Sequence, residues 1–271
     1  MTILGVRRIK RRGGSLDRTI IVSAHSPPTF GVSRNMVANL RQACIVGTVV
    51  LATFGPPVLA NPNPTVPVAT TTHTGARFAS FGTEKPSVDA RYVANWVADS
   101  RDNAGAEFFI IDKKNARVYV FDAQAHLRAT SPVLLGSAKG DDSVPGIGLK
   151  PIAAVKPAER TTPAGRFVAE RGRNNLGEDV VWVDYDAAVS MHRVRTTNTR
   201  ERRLERLATP SVEDNRISYG CINVPVAFYN AHIKPAFVKR RALVYVLPEV
   251  KPLQQVFGAY DVAIKHAPVQ R

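Results

Sequence analysis

Short runs rich in apolar, aromatic and β-branched residues, bounded by polar residues, recur from residue 107 onward, a pattern typical of β-strands. Two such runs, Glu107–Asp112 (EFFIID) and Arg117–Phe121 (RVYVF), are joined by Lys113-Lys114-Asn115, which predicts a hairpin. Similar runs predict further strands over His126–Leu135, Arg166–Glu170, Asp179–Asp184, Ala187–His192 and Ala242–Leu247. Helical patterns are short and cover residues 91–100, Thr199–Leu207 and Val226–Phe237. Many short strands with one or two short helices predict a mainly β fold, a β-sandwich or open barrel.

The pattern before residue 105 is different and indicates export. Residues 1–35 are rich in Arg, Gly and Ser and form an N-terminal extension, which lies upstream of the true start if translation begins at Met36. Residues 36–60 combine Arg41, a twelve-residue apolar stretch from Ala43 to Phe54 and a small residue, Ala60, which predicts a signal peptide. An uncleaved anchor is the alternative. We expect a linker over 61–104, the folded domain over 105–248 and a tail over 249–271.

The chain is strongly basic, with a formal net charge of +15. Residues 1–60 hold eight Lys and Arg residues against one acidic residue, so much of the excess lies in the predicted targeting region. No basic run interleaved with aromatic residues is present, and we predict no nucleic-acid partner. The remaining positive charge would favour an acidic cell wall or membrane surface, or would serve ordinary solubility.

The two cysteines occupy different predicted segments. Cys44 lies inside the apolar stretch of the signal peptide, so cleavage after Ala60 would leave Cys221 as the only thiol. A lone thiol in an oxidising compartment forms no intramolecular disulfide. It is therefore either buried and inert or chemically reactive.

Three short motifs follow one another along the domain. The first is the turn Thr162-Pro163-Ala164-Gly165, and the second is Ser190-Met191-His192 at the end of an apolar strand. The third is Ile217–Val224 (ISYGCINV), in which Gly220 permits close backbone approach beside Cys221. A turn just before a helix start directs N–H groups at the sulfur and favours the thiolate. Each motif alone is also compatible with a purely structural turn or a buried histidine.

Together and in this order, the three motifs resemble the catalytic domain of the L,D-transpeptidase family, which carries Thr-Pro-x-Gly, a strand-end His and Ser/Thr-His-Gly-Cys. The resemblance covers about residues 105–248 and implies that Cys221 is the nucleophile and His192 its base, with backbone N–H groups of Gly220 and Cys221 binding the oxyanion. It also implies substrate contacts from neighbouring residues of the motifs, namely Ser218, Tyr219, Asn223 and Arg193.

The implied partners are peptidoglycan stem peptides, with a peptide amine or a wall-linked protein as acceptor, in the periplasm or cell envelope. The membrane would be met only transiently, through the signal segment. Neither a cofactor nor a metal is expected, and His126, His232 and His266 show no metal-ligand spacing. The pairs Asp184/Asp186 and Asp141/Asp142 are expected to be solvated.

Three departures from the family pattern leave the reaction open. Tyr219 replaces the usual His, Arg193 replaces a Gly, and 28 residues separate His192 from Cys221. An L,D-carboxypeptidase or amidase, in which water replaces the amine, is therefore an alternative, as is a non-catalytic wall-binding module. Within the long separation, we expect Thr199–Leu207 to be a basic lid helix over the cleft or, alternatively, a solvated surface helix.

Overall fold

The computed structural model describes residues 75–238 and 241–268. The predicted extension, the signal peptide, Cys44 and the first part of the linker lie outside the described residues. The described part of the chain contains ten strands: β1 (Phe108–Asp112), β2 (Arg117–Phe121), β3 (Leu127–Pro132), β4 (Leu135–Gly136), β5 (Gly165–Arg173), β6 (Asp179–Asp184), β7 (Val189–Arg193), β8 (Arg216–Ser218), β9 (Ile222–Val224) and β10 (Ala242–Val246).

Eight of these strands form one sheet in the order β3-β2-β1-β10-β5-β6-β7-β9, and β4 pairs with β8 separately. Most neighbours are antiparallel, but β1 with β10 and β7 with β9 run parallel. The chain just after β3 returns to the far edge, where Leu134 and Asn223 exchange two backbone hydrogen bonds of 2.9 Å. The sheet is therefore nearly closed into a barrel, and the predicted mainly β fold is confirmed.

The central strands are buried on both faces because their side chains alternate between two apolar clusters. Phe109 and Ile111 of β1 face the barrel interior, where they pack with residues of most other strands. Phe108 and Ile110 face outward and pack against a helix. A strand buried on both sides is apolar without alternation, which explains the continuous run FFII.

The helix on the outer face is α1 (Val88–Ser100), and it lies inside the predicted linker. Its N-terminus is capped by the Ser87 side chain, which accepts a hydrogen bond from the Ala90 N–H. Its apolar face, including Trp96 and Val97, is buried against β1 and β10.

The predicted tail also packs on this face. Its residues form the short helices α5 (Leu253–Phe257) and α6 (Val262–Lys265), with Ala259 and Val262 buried. The packed domain thus extends on both sides of the predicted 105–248. The physical reason is that the outer face of the sheet is apolar and must be covered.

The remaining helical segments are short. The predicted helix over Val226–Phe237 is three segments: α3 (Val226–Phe228), a π-helical turn (Tyr229–Ile233) and α4 (Lys234–Ala236). The segment between β4 and Thr162 contains three 3₁₀ turns, over Ile147–Leu149, Ile152–Ala154 and Pro157–Glu159. No helix among the described residues is both long and apolar enough to cross a membrane.

A buried cluster of charges connects the turn between β1 and β2 with the segments that follow β4 and β10. The Lys113 ammonium is fully buried and donates to Asp141 Oδ1 at 2.9 Å and to the Thr162 carbonyl at 2.9 Å. Asp141 also accepts three backbone N–H bonds from residues 249–251. The expectation that Asp141 is solvated is therefore wrong, because loop closure brings a lysine and three amides around its carboxylate. Asp142, by contrast, is exposed.

We expect Asp141→Ala to lower the free energy of unfolding by about 3–5 kcal/mol. It removes the nearer carboxylate of the buried Lys113 charge, which keeps only Glu249 at 3.6 Å, and it takes the acceptor away from three backbone amides. Burial raises the pKa of Asp141, but the bonds from Lys113 and the three amides outweigh it and lower the pKa to about 2. A lowered carboxylate pKa stabilises the fold above about pH 4, and this contribution is lost as the pH falls towards 2. Urea unfolding at pH 7 and at pH 3 measures both effects.

The matched control is Asp142→Ala, which removes an exposed ion pair with Lys251 and should change stability by at most about 1 kcal/mol. Equal stability of the two variants would contradict the role assigned to Asp141.

Candidate active site

The parallel pairing of β7 and β9 places the two predicted catalytic residues on one face of the sheet. Met191 pairs with Ile222 and His192 with Asn223, and both Met191 and Ile222 point into the barrel core. Side chains alternate along a strand, so the residues on either side of this pair point the opposite way. Those residues are Ser190, His192, Cys221 and Asn223.

Cys221 is partly exposed, and its sulfur lies 3.6 Å from Ser190 Oγ and 3.7 Å from the Ala188 carbonyl oxygen. Burial opposes ionisation and raises the pKa of the thiol. The hydrogen bond and charge of His192, together with hydrogen bonds from Ser190, outweigh burial and bring the pKa of Cys221 below its ordinary value. The site therefore favours the thiolate, which is the nucleophilic form. Sequence reasoning quoted Ser190 only as part of its strand and missed this contact.

The pKa of His192 shifts in the direction opposite to that of Cys221. Burial lowers the pKa of the imidazole, but the Cys221 hydrogen bond and charge, and the Arg193 carbonyl, raise it above its ordinary value. Nδ1 lies 2.8 Å from the Arg193 carbonyl oxygen, which can only accept, so Nδ1 carries a proton. Nε2 is then left for the thiol, as a general base requires.

The turn before Cys221 is held by two buried hydroxyl groups. Ser218 Oγ accepts from the Gly220 N–H at 3.1 Å, and its hydroxyl donates to the Cys221 carbonyl at 2.6 Å. Thr162, from the Thr-Pro-Ala-Gly turn, donates to the Gly220 carbonyl at 2.8 Å. The Gly220 N–H is therefore already engaged, which differs from its expected role as an oxyanion donor. Gly220 has φ +125°, and a Cβ there would lie 2.8 Å from the Thr161 carbonyl oxygen.

Cys221 and His192 open into a cleft of about 300 Å³. Its lining includes three predicted substrate-binding residues, Ser218, Tyr219 and Asn223. Tyr219 is 39% exposed, and the Arg160 guanidinium lies 4.0 Å above its ring centroid, a cation–π contact that sequence reasoning missed.

The side chains of two predicted substrate-binding residues already form hydrogen bonds with other residues of the protein. The Asn223 side chain is fully buried, accepting from Arg203 and donating to the Cys221 carbonyl at 3.2 Å. Arg193 points to the opposite face of β7, where it contacts Asp179 at 3.0 Å and Asn230. The structure thus does not bring Arg193 into the Cys221 cleft.

Arg193 instead lines a second cavity, of about 440 Å³, to which His192 and Arg195 also contribute. A larger cavity, of about 570 Å³, lies elsewhere and has no cysteine or histidine in its lining.

The predicted lid helix is split in two at Arg202, whose φ is +50°. A 3₁₀ turn covers Thr199–Glu201, and α2 covers Arg203–Ala208. The segment lies at the cleft, because Glu201 and Arg203 both line it. Its arginines have different roles. Arg203 lines the cleft and pairs with Glu201. Arg202 forms an exposed ion pair with Glu205, and Arg206 donates to the backbone carbonyls of Glu201 and Asp214.

Among residues 75–238 and 241–268, no group of three or more His, Cys, Asp or Glu side chains is arranged to hold a metal ion. The titratable groups in the lining of the Cys221 cleft include the thiol, the imidazole, the phenol of Tyr219, the carboxylate of Glu201 and the guanidinium groups of Arg195 and Arg203.

Comparison with protein-family models found no match, and comparison with curated proteins found none either. Among solved structures, the chain is similar to an Enterococcus faecium L,D-transpeptidase at 17% identity and TM-score 0.29, covering 52% of this chain and 50% of that one. An L,D-transpeptidase from Mycobacterium smegmatis matches at 13% identity and TM-score 0.31, covering 52% and 58%.

The helical cell shape determining protein Pgp2 from Campylobacter jejuni matches at 13% identity and TM-score 0.35, covering 58% and 55%. The chain thus spans between half and three fifths of the length of these structures.

Proposed function

We propose that this chain is an exported cysteine acyltransferase of the L,D-transpeptidase type that acts on peptidoglycan stem peptides. The observation that carries the proposal is the parallel β7–β9 pairing, which sets a thiol of lowered pKa beside an imidazole of raised pKa in one cleft. The order of the three sequence motifs supports the family, since the Thr162 turn contacts the Gly220 carbonyl next to the nucleophile.

The proposed reaction has two halves. The Cys221 thiolate attacks the carbonyl carbon of the bond between an L-centre and the terminal D-residue, and the proton from the thiol resides on His192. The tetrahedral intermediate collapses, the C–N bond breaks, and the departing amine takes the proton from His192, leaving a thioester. An acceptor amine then attacks the thioester, gives its proton to His192 and releases the thiolate with a new amide bond.

The lining of the cleft fits a substrate with carboxylates. Arg195 and Arg203 contribute two positive charges against one negative charge from Glu201, which pairs with Arg203, so the lining keeps a net positive charge. Guanidinium groups bind carboxylates with paired hydrogen bonds, so these arginines are suited to the free carboxylates of a stem peptide.

The test is to incubate the protein with disaccharide-tetrapeptide and to analyse both protein and products by mass spectrometry. A protein mass increased by the acyl group, together with a cross-linked dimer, supports transpeptidation. A shortened stem peptide without a dimer would indicate the hydrolase, in which water replaces the amine. Unchanged substrate and unmodified protein would reject the enzyme and favour a wall-binding module.

The lid segment gives a separate prediction. Arg203→Gln should raise KM for the tetrapeptide about fivefold at low salt, the equivalent of about 1 kcal/mol for a partly exposed charge interaction. The effect should shrink as salt is added, because screening weakens the attraction. KM measured at two ionic strengths checks this.

Arg202→Gln is the matched control, because Arg202 is exposed, pairs with Glu205 and does not line the cleft. Labelling of Cys221 by a small uncharged electrophile should be unchanged in both variants. Loss of labelling in Arg203→Gln would mean that this residue supports the Asn223–Cys221 geometry rather than the substrate.

A further inference from the structure

Gly220 and Cys221 have four polar backbone groups, and hydrogen bonds hold three of them. The Gly220 N–H and the Cys221 carbonyl are both bonded to the Ser218 hydroxyl, and the Gly220 carbonyl is bonded to Thr162. Within the described residues, the Cys221 N–H donates no hydrogen bond. It is the one polar backbone group beside the sulfur that is left available.

The Thr162 hydroxyl is fixed by its surroundings. Thr162 is 1% exposed, and its oxygen accepts the Gly136 N–H at 2.9 Å. A hydroxyl has one hydrogen to donate, and here it goes to the Gly220 carbonyl. Other backbone atoms approach Gly136 and Gly220 too closely for either residue to carry a side chain. A Cβ on Gly136 would lie 2.2 Å from the Arg160 carbonyl oxygen, and one on Gly220 would clash with the Thr161 carbonyl.

We propose that Thr162 is a positioning residue that aims the Cys221 N–H at the oxyanion formed during acyl transfer. The Gly220 carbonyl and the Cys221 N–H belong to the same peptide unit, and no cis peptide bond occurs among the described residues. In a trans peptide these two groups point in opposite directions. A hydroxyl that holds the carbonyl towards the buried Thr162 therefore turns the N–H away from it, to the side on which Cys221 lines the cleft.

This inference rests on the proposed function, because an oxyanion forms only if Cys221 attacks a carbonyl. As the Sγ–C bond forms, the carbonyl π electrons move to oxygen, and a preorganised N–H stabilises that charge. Collapse of the intermediate then expels the leaving group. Alkylation of the same thiolate at a saturated carbon forms no oxyanion and needs no such donor.

The experiment compares two reagents on the full chain. p-Nitrophenyl acetate acylates Cys221 through a tetrahedral intermediate with release of p-nitrophenolate, whereas iodoacetamide alkylates it by displacement of iodide. Thr162→Val removes the hydroxyl at similar volume. We expect its p-nitrophenolate burst rate to fall about 10–100-fold, less than the loss of an entire oxyanion donor, while the iodoacetamide rate is unchanged.

Thr162→Ser keeps the hydroxyl and should restore the burst rate to near that of the wild type. Thr161→Val is the neighbouring control, because its hydroxyl makes no hydrogen bond to the Gly220–Cys221 peptide, and it should behave as wild type. If Thr162→Val does not fold, Thr162→Ala replaces it in the same comparison.

Equal losses with both reagents would overturn the inference, because they would place Thr162 in support of the thiolate itself. Unchanged rates with both reagents would overturn it as well. A wild-type protein that is alkylated but not acylated would reject the proposed function, an outcome that is visible before any variant is made.

Discussion

Replacing Cys221 by alanine is expected to abolish both the acyl adduct on the protein and every product from the tetrapeptide. A thioester requires a thiol, and Cys221 supplies the one thiol in the described lining of the cleft. The measurement is intact-protein mass spectrometry after incubation with disaccharide-tetrapeptide, with product analysis in parallel.

Two controls make this result specific. Cys44→Ser removes the second thiol of the chain and should leave the adduct and the products unchanged. Cys221→Ser changes only one atom and should also be inactive, because a serine hydroxyl does not ionise near neutral pH as a thiol with a lowered pKa does. Product formation by Cys221→Ala would overturn the assignment of the nucleophile.

Replacing His192 by glutamine is expected to slow acylation by about 10²–10⁴-fold, the usual contribution of a general base. It should also change the pH dependence of thiol labelling. In the wild type, His192 lowers the pKa of Cys221, so iodoacetamide reacts at a pH below that required by an ordinary thiol. Without the imidazole, burial remains and raises the thiol pKa, so the labelling profile should shift to higher pH.

The direction of the expected shift in the labelling profile follows from the effects of Cys221 and His192 on each other's pKa. The thiol raises the pKa of His192 and the imidazole lowers that of Cys221, so each group favours the charged form of the other and the thiolate forms at a lower pH than in an isolated thiol. At pH 7 the variant should label more slowly than wild type. The difference should shrink only well above about pH 8.5, the pKa of a free thiol, because burial raises the thiol pKa of the variant further.

His232→Gln is the matched control, because His232 packs against the Phe228 ring, away from the cleft. It should leave both the acylation rate and the labelling profile unchanged. A His192→Gln variant that labels like wild type at pH 7 would contradict the role of His192 as the base.

Much of the strand pattern was predictable because each strand has its own local signal. The hairpin of β1 and β2 lies where the two apolar runs and the turn residues between them predict it. The start of α1 was harder to find. Its apolar face matches the outer surface of β1 and β10, and that surface exists only once distant parts of the chain have paired.

The contacts of the Arg203 and Asp141 side chains could likewise not be predicted from local sequence. From the sequence, Asp141 was expected to be solvated, and Arg203 was expected to lie on a lid or on a solvated helix. The residues near each of them in the chain do not show which distant group its side chain contacts. Arg203 meets Asn223, and Asp141 meets Lys113 and the amides of residues 249–251, all through loop closure. Contacts between residues far apart in sequence depend on tertiary packing, which no local pattern records.

The sequence by itself determined the mainly β class and singled out a Gly-Cys turn, a strand-end histidine and a Thr-Pro-Ala-Gly turn, because each is a local pattern with a local physical cause. Only the tertiary structure decided that these three meet. The β7–β9 register sets Cys221 and His192 on one face, turns Arg193 to the other, and lets the Thr162 hydroxyl reach the Gly220 carbonyl. Strand register is a pairing between distant segments, and a shift of β9 by one residue would turn its side chains to the opposite face and separate Cys221 from His192.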